Sequence, residues 1–162
     1  MARLLPALLW LVLVTGAQAQ ERFSDCANCP EMVVLPGGTF HMGHDGKRES
    51  EAPRHEVRID RPFAIARTEV TFDQWQHCVD GGGCAEMPWD RDWGKGNRPV
   101  IYVDWSDAQA YVAWLSRHTG RKYRLPSEVE WEYAAWGGNS AAGVRRSGKN
   151  RANCSGCSDK WD

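Results

Sequence analysis

Tyr123-Arg124-Leu125-Pro126-Ser127-Glu128-Val129-Glu130-Trp131-Glu132-Tyr133-Ala134-Ala135-Trp136 is the stretch that decides how this chain is read. Ser127 can cap a helix with its hydroxyl while Glu130, three residues on, reaches back to the Ser127 amide, and Pro126 keeps the preceding chain extended. Val129, Tyr133 and Trp136 then share one helix face, and Gly137-Gly138 supplies the stop. The stretch reads as a short aromatic core helix. Glu128, Glu130 and Glu132 are not a preformed acid/base pair, because positions two apart point to different sides of a helix. Glu130 caps, and the other two are expected to face water.

Upstream, Thr71 with Gln74 repeats the capping pattern, and Phe72, Trp75 and Val79 give a helix that ends near Gly81-Gly82-Gly83. Ser106 with Gln109 suggests a third box, opening a helix that carries Ala108, Tyr111 and Leu115 on one face and closes at Gly120. Met32 to Leu35 and Thr39 to Met42 read as two strands joined by a turn at Pro36-Gly37-Gly38. Val57 and Ile59, then Phe63 and Ile65, read as a second pair broken at Arg61-Pro62, and Val100 to Trp105 is strand-like. Gly43 to Pro53 is polar and reads as a surface loop, and Met87 to Arg98, with Trp89 and Trp93, as an ordered loop packed by its own aromatics. The fold class is α+β, rich in irregular structure.

Residues 1–19 have the charged, apolar and small-residue parts of a secretory signal peptide, with cleavage expected after Ala19. The apolar run is too short for a span of about 20 residues, so no membrane anchor is expected after cleavage, and the product is expected to be secreted or periplasmic. Residues 20–31 form a polar leader with a Cys-x-x-Cys pair. A formal net charge of -1 gives no nucleic-acid footprint. Arg145, Arg146, Lys149 and Arg151 lie in a Gly/Ser/Asn-rich stretch that reads as a solvated loop. Nine tryptophans, of which Trp10 lies in the signal peptide, imply a sizeable aromatic core or a Trp-lined groove.

The cysteines fall in three close pairs: Cys26 with Cys29, Cys78 with Cys84, and Cys154 with Cys157. In an exported protein local disulfides are the simplest reading, with Cys78–Cys84 fastening a helix end across the glycine turn. The rivals are a zinc site joining the two Cys-x-x-Cys pairs and a thioredoxin-like redox role, the latter lacking a βαβ context. A metal site from His41, His44 and His55 can be drawn, although strand alternation sets His41 and His44 on opposite faces. His77 and His118 read as helix-surface residues. There is no Gly-x-Ser-x-Gly, phosphate-binding glycine loop or His-Glu-x-x-His, so residue chemistry alone names no reaction.

Several segments together resemble the family of formylglycine-generating enzymes, or sulfatase-modifying factors. They are Met32 through Gly43, Pro53-Arg54-His55-Glu56-Val57, Glu69-Val70-Thr71, Arg98-Pro99-Val100, Val103-Asp104-Trp105 with Ala108, and Arg124-Leu125-Pro126-Ser127-Glu128 through Ala135. The resemblance implies a C-type-lectin-like fold variant over residues 32–162, apparently truncated to the N-terminal part of the domain. It also implies oxidation of a sulfatase cysteine to formylglycine, using oxygen and a copper ion held by two active-site cysteines. No cysteine here sits at a matching position, so no catalytic residue is carried over. Asn153, with the Cys154 carbonyl, resembles the family's calcium position, and such oxygen ligands suit calcium; Asn153-Cys154-Ser155 is equally a glycosylation sequon.

Three functions follow as expectations. The chain is part of an exported oxidase acting on a sulfatase or other protein; or a non-catalytic lectin-like binding module, with the 87–98 loop as its contact surface; or an inactive truncated product with exposed strand edges and apolar surface.

Overall fold

The computed structural model describes residues 20–46 and 51–138. Strands come first and helices after: β1 Arg22–Phe23, β2 Met32–Leu35, β3 Gly38–Met42, β4 His55–Ile59, β5 Phe63–Ala66, α1 Phe72–Asp80, α2 Trp105–Thr119 and α3 Glu128–Ala135. The signal peptide, the Arg145–Arg151 basic cluster, Cys154–Cys157 and Asn153 lie outside the described residues. Among the described residues, no helix is long and apolar enough to cross a membrane.

The mixed helix-and-strand reading holds, but the strand partners differ from the expected two consecutive pairs. β2 pairs with β5 (Val33 opposite Ile65), and β3 pairs with β4 (Phe40 opposite Val57), so successive strands part into two sheets. Alternation marks which residues form strands; it does not say which strand each one meets. Residues 20–31 are also more than a leader, since β1 adds antiparallel to β2 through Arg22–Val33 and Phe23–Met32. Val100 to Trp105 forms no strand. Tyr102 sits at φ 59°, in the left-handed region, which ends extension, and only an isolated Thr71–Pro99 bridge remains.

All three helices carry a complete capping box. Thr71 with Gln74 opens α1 and Ser127 with Glu130 opens α3, as the sequence indicates. At α2 the cap is Asp104 with Asp107, two residues before the expected Ser106 with Gln109. Ser106 instead donates its hydroxyl to Asp104 Oδ1 at 2.6 Å, and this bond, with the Asp107 amide, lowers the Asp104 pKa. A carboxylate accepts strongly from amides at the positive end of the helix, which favours Asp104 over a serine hydroxyl. α2 closes at Gly120, whose φ of 68° suits glycine.

Two cores result. The strand core gathers Leu35, Phe40 and Tyr133, with Val129 and Trp136 of α3 packed against them. Tyr133 is fully buried, meets Phe40 edge-on at 5.3 Å and donates its hydroxyl to the Pro36 carbonyl at 2.9 Å. A Cβ at Gly38 would lie 2.7 Å from that hydroxyl, so the close approach requires glycine there. Glu132, expected to face water, accepts the Gly43 amide at 2.9 Å and the Trp136 indole at 3.4 Å, tying α3 to the end of β3.

The helical core gathers Trp75, Cys78, Cys84, Tyr111, Trp114 and Leu115, with Cys29 joining from the N-terminal turn. Trp75 and Tyr111 stack at 5.6 Å, 9° from parallel, joining α1 to α2. The Cys78–Cys84 disulfide fastens the end of α1 across the glycine turn, and Cys26–Cys29 closes the N-terminal turn. The 87–98 loop packs on its own aromatics in part: Trp93 lies under Arg98 within the loop, whereas Trp89 stacks on Tyr102 outside it.

Candidate functional site

A groove of about 1150 Å³ opens among the described residues, walled by β5 and the segment after it on one side and by α2, the 121–126 connection and the start of α3 on the other. Its existence follows from the sheet order. β5 pairs with β2 along one edge and with no described strand along the other. The Arg67 amide donates to the Glu31 carbonyl, so by antiparallel alternation Phe63 and Ile65 bond to β2, while Ala64 and Ala66 turn their amides and carbonyls outward. Both alanines line the groove.

The lining mixes apolar side chains with charged and polar ones. Tyr111 is 3% exposed, and its hydroxyl has no hydrogen-bond partner among the described residues. Burial pushes its pKa up, so it stays a neutral phenol. Tyr123 also lines the groove and donates its hydroxyl to Asp25 Oδ2. Burial, then that bond, raises its pKa as well. Arg121 Nε stands 3.9 Å from the other Asp25 oxygen. At the mouth, Arg124 grips Glu130 with both guanidinium nitrogens, one contact at 2.6 Å, and this grip holds the Glu130 carboxyl down at about 2. The site therefore offers a mixed lining of apolar and charged side chains and, among the described residues, one unsatisfied buried hydroxyl and a strand edge with no partner.

Unsatisfied buried polar groups are rare and costly, so Tyr111 is the residue the sequence reading missed: its spacing marked it as core, which it is, without showing that its hydroxyl lacks a partner. A second aromatic surface lies apart from the groove, where Trp89, 61% exposed, stacks on Tyr102, 57% exposed. It belongs to the loop proposed as a contact surface.

For metals the structure redraws the sequence candidates. His41, His44 and His55 are not brought together; His55 instead bonds the Pro53 carbonyl through Nδ1. Zinc shared between the two Cys-x-x-Cys pairs loses two thiolates to the Cys26–Cys29 disulfide. The copper site implied by the resemblance needs two thiolates, and all four described cysteines are in disulfides, so the described residues do not fit that ion. One unforeseen group does converge: Cys26, His77 and His118 place their ligand atoms within 4.8 Å of one another. His118 is exposed as expected, while His77 is half-buried against the edge of Trp114.

Comparison with known proteins bears on the whole described region. The model of the sulfatase-modifying factor enzyme 1-like domain matches residues 18–158. The chain is 32% identical to the formylglycine-generating enzyme of Mycobacterium tuberculosis, over 68% of this chain and 53% of that protein. It is 33% identical to the inactive C-alpha-formylglycine-generating enzyme 2 of Mus musculus, over 85% of this chain and 56% of that protein. The solved structure of PvdO from Pseudomonas aeruginosa superposes with a TM-score of 0.67 at 37% identity, covering 78% of this chain and 54% of PvdO. The chain thus spans about half the length of the curated relatives it matches.

Proposed function

Because the chain belongs to the family of the sulfatase-modifying factor enzyme 1-like domain, we propose that it is an exported protein supplying the N-terminal scaffold of a C-type-lectin-like protein-modifying domain. The activity assigned to the complete domain is oxidation of a sulfatase cysteine to formylglycine with oxygen and copper. The copper-binding thiols belong to a further part of that domain, because the cysteines described here are already committed to disulfides. Calcium at Asn153 and the Cys154 carbonyl is a structural ion in this reading.

The observation that carries the proposal is the groove. It is open and mostly apolar, and it is bordered by outward-turned main chain at Ala64 and Ala66, which is how a sheet looks where another strand is due. Since this chain covers about half the length of the relatives it matches, the occupant in this reading is the remaining part of the domain. In this reading the outward main chain at Ala64 and Ala66 pairs with that segment, and the apolar part of the groove covers it.

The test is the intact mass of the native exported protein, with and without reduction and alkylation, paired with a copper-dependent assay on a sulfatase-motif peptide read by mass spectrometry. A mass well above that of residues 20–162, with conversion of the peptide cysteine, is the expected result. A mass equal to residues 20–162, with no conversion, overturns the oxidase reading. It would favour the second one, a non-catalytic binding module using the exposed Trp89–Tyr102 stack, to which the similarity with a protein named as inactive already lends weight.

A further inference from the structure

We infer that the Cys26–Cys29 disulfide masks a metal site, and that reducing it exposes a cysteine–histidine set for a zinc-like divalent ion at the converging ends of α1 and α2. This rests on side chains that do not line the groove and does not depend on the oxidase reading.

Three chain segments meet there. Cys26 comes from the N-terminal turn, His77 from the last turn of α1 and His118 from the last turn of α2. The two imidazoles stand at right angles, ring centres 5.0 Å apart, and His118 is held by stacking on Trp114 at 5.0 Å and 18°. Trp114 is itself 5% exposed in the helical core, so the histidines rest on a fixed platform. Both helices direct their negative ends at this point, which favours a cation.

The ligand atoms lie within 4.8 Å of one another. Zinc bonds of about 2.3 Å to sulfur and about 2.0–2.1 Å to nitrogen place tetrahedral ligands about 3.4–3.8 Å apart, so the set needs to close by only about 1 Å. What blocks it is chemical, since thiolate sulfur is the ligand and a disulfide sulfur is not. A dithiol reductant supplies the two electrons and two protons that cleave the S–S bond, and is itself oxidised to a disulfide. Metal binding then displaces the Cys26 thiol proton to solvent while the neutral imidazoles donate their lone pairs.

The test is titration of the full chain with cobalt(II) as a spectroscopic stand-in for zinc. Cys29→Ser leaves Cys26 as a free thiol without any reductant and is expected to bind one equivalent with a thiolate-to-cobalt charge-transfer band. The oxidised parent should show no band. The parent reduced with a phosphine should show it, and reduced Cys26→Ser should lose it. His118→Ala in the Cys29→Ser background is expected to weaken binding about 100-fold or more, since loss of a mere partner to a metal ligand already costs about 10–100-fold. Absence of the band from both Cys29→Ser and the reduced parent overturns the inference. Its persistence in reduced Cys26→Ser, or unchanged affinity in the His118 variant, overturns it equally.

Discussion

Each core of this molecule contains a buried tyrosine, and the two differ in one hydrogen bond. Tyr133 closes the strand core and gives its hydroxyl to Pro36, so its polar end ties α3 to the corner between β2 and β3. Tyr111 closes the helical core beside the groove, and its buried hydroxyl finds no partner among the described residues. A buried, unpaired hydroxyl costs about 1–3 kcal/mol. The strand core is thus complete in itself, whereas the helical core is finished on its α1 side by a disulfide and open on its groove side. One hydroxyl is part of the frame; the other is a buried polar group that the described residues leave unpaired.

The contrast can be broken most violently at Tyr133. Tyr133→Ala empties the centre of the strand core, and its expected cost is about 3–5 kcal/mol in urea unfolding. A loss under about 1 kcal/mol would mean that this core is not closed by that ring.

Next comes the helical core's cross-link. The Cys78→Ser, Cys84→Ser double variant is expected to lose about 2–3 kcal/mol, because the bridge restricts the unfolded chain and both sulfurs are buried. If the two cores unfold separately, a strand-core probe such as Trp136 fluorescence will keep its midpoint.

Smaller still is the effect of Glu130→Gln at the groove mouth, about 1–2 kcal/mol, since it weakens both the Ser127 cap and the Arg124 grip. The pH dependence has a definite sign. The folded carboxyl titrates at about 2, below its usual 4.5, so its contribution is complete above the usual value and is lost as pH falls from about 4.5 toward 2. Glu130→Gln should therefore flatten the stability profile in that window and leave it parallel at neutral pH.

The finest comparison is Tyr133→Phe against Tyr111→Phe. The first strands the Pro36 carbonyl and is expected to cost about 1–2 kcal/mol; the second removes a hydroxyl with no partner and should change stability by less than about 0.5 kcal/mol, or raise it. Equal losses would show that Tyr111 has a partner in solution.

The sequence made local features legible and left non-local ones hidden. The boxes of Thr71 and Ser127 were readable because a cap and its N3 partner lie within four residues. At α2 two overlapping signals competed, and the carboxylate of Asp104 prevailed over the hydroxyl of Ser106. The Cys78–Cys84 bridge was readable from short spacing, whereas the meeting of Cys26, His77 and His118 depends on how the N-terminal turn packs on two helices, which no pattern in one segment encodes. Tyr111 shows the limit from the other side: helical spacing correctly buried it, without showing that its hydroxyl would meet no partner among the described residues.

The strand pairing carries a consequence for how the chain finds its shape. β3 and β4 pair inside the sequence interval bounded by β2 and β5, like one pair of brackets within another. Closing the outer pair directly would mean bringing together the ends of a long free loop. Once the inner pair has formed, only Pro36-Gly37 and Asp60-Arg61-Pro62 separate β2 from β5, and the remaining entropy of closure is that of two short linkers. Assembly should therefore run from the inside outward, with the β3–β4 pair as nucleus and the β2–β5 pair following. The open edge of β5 would then be among the last surfaces to form, and so among the last presented to any partner.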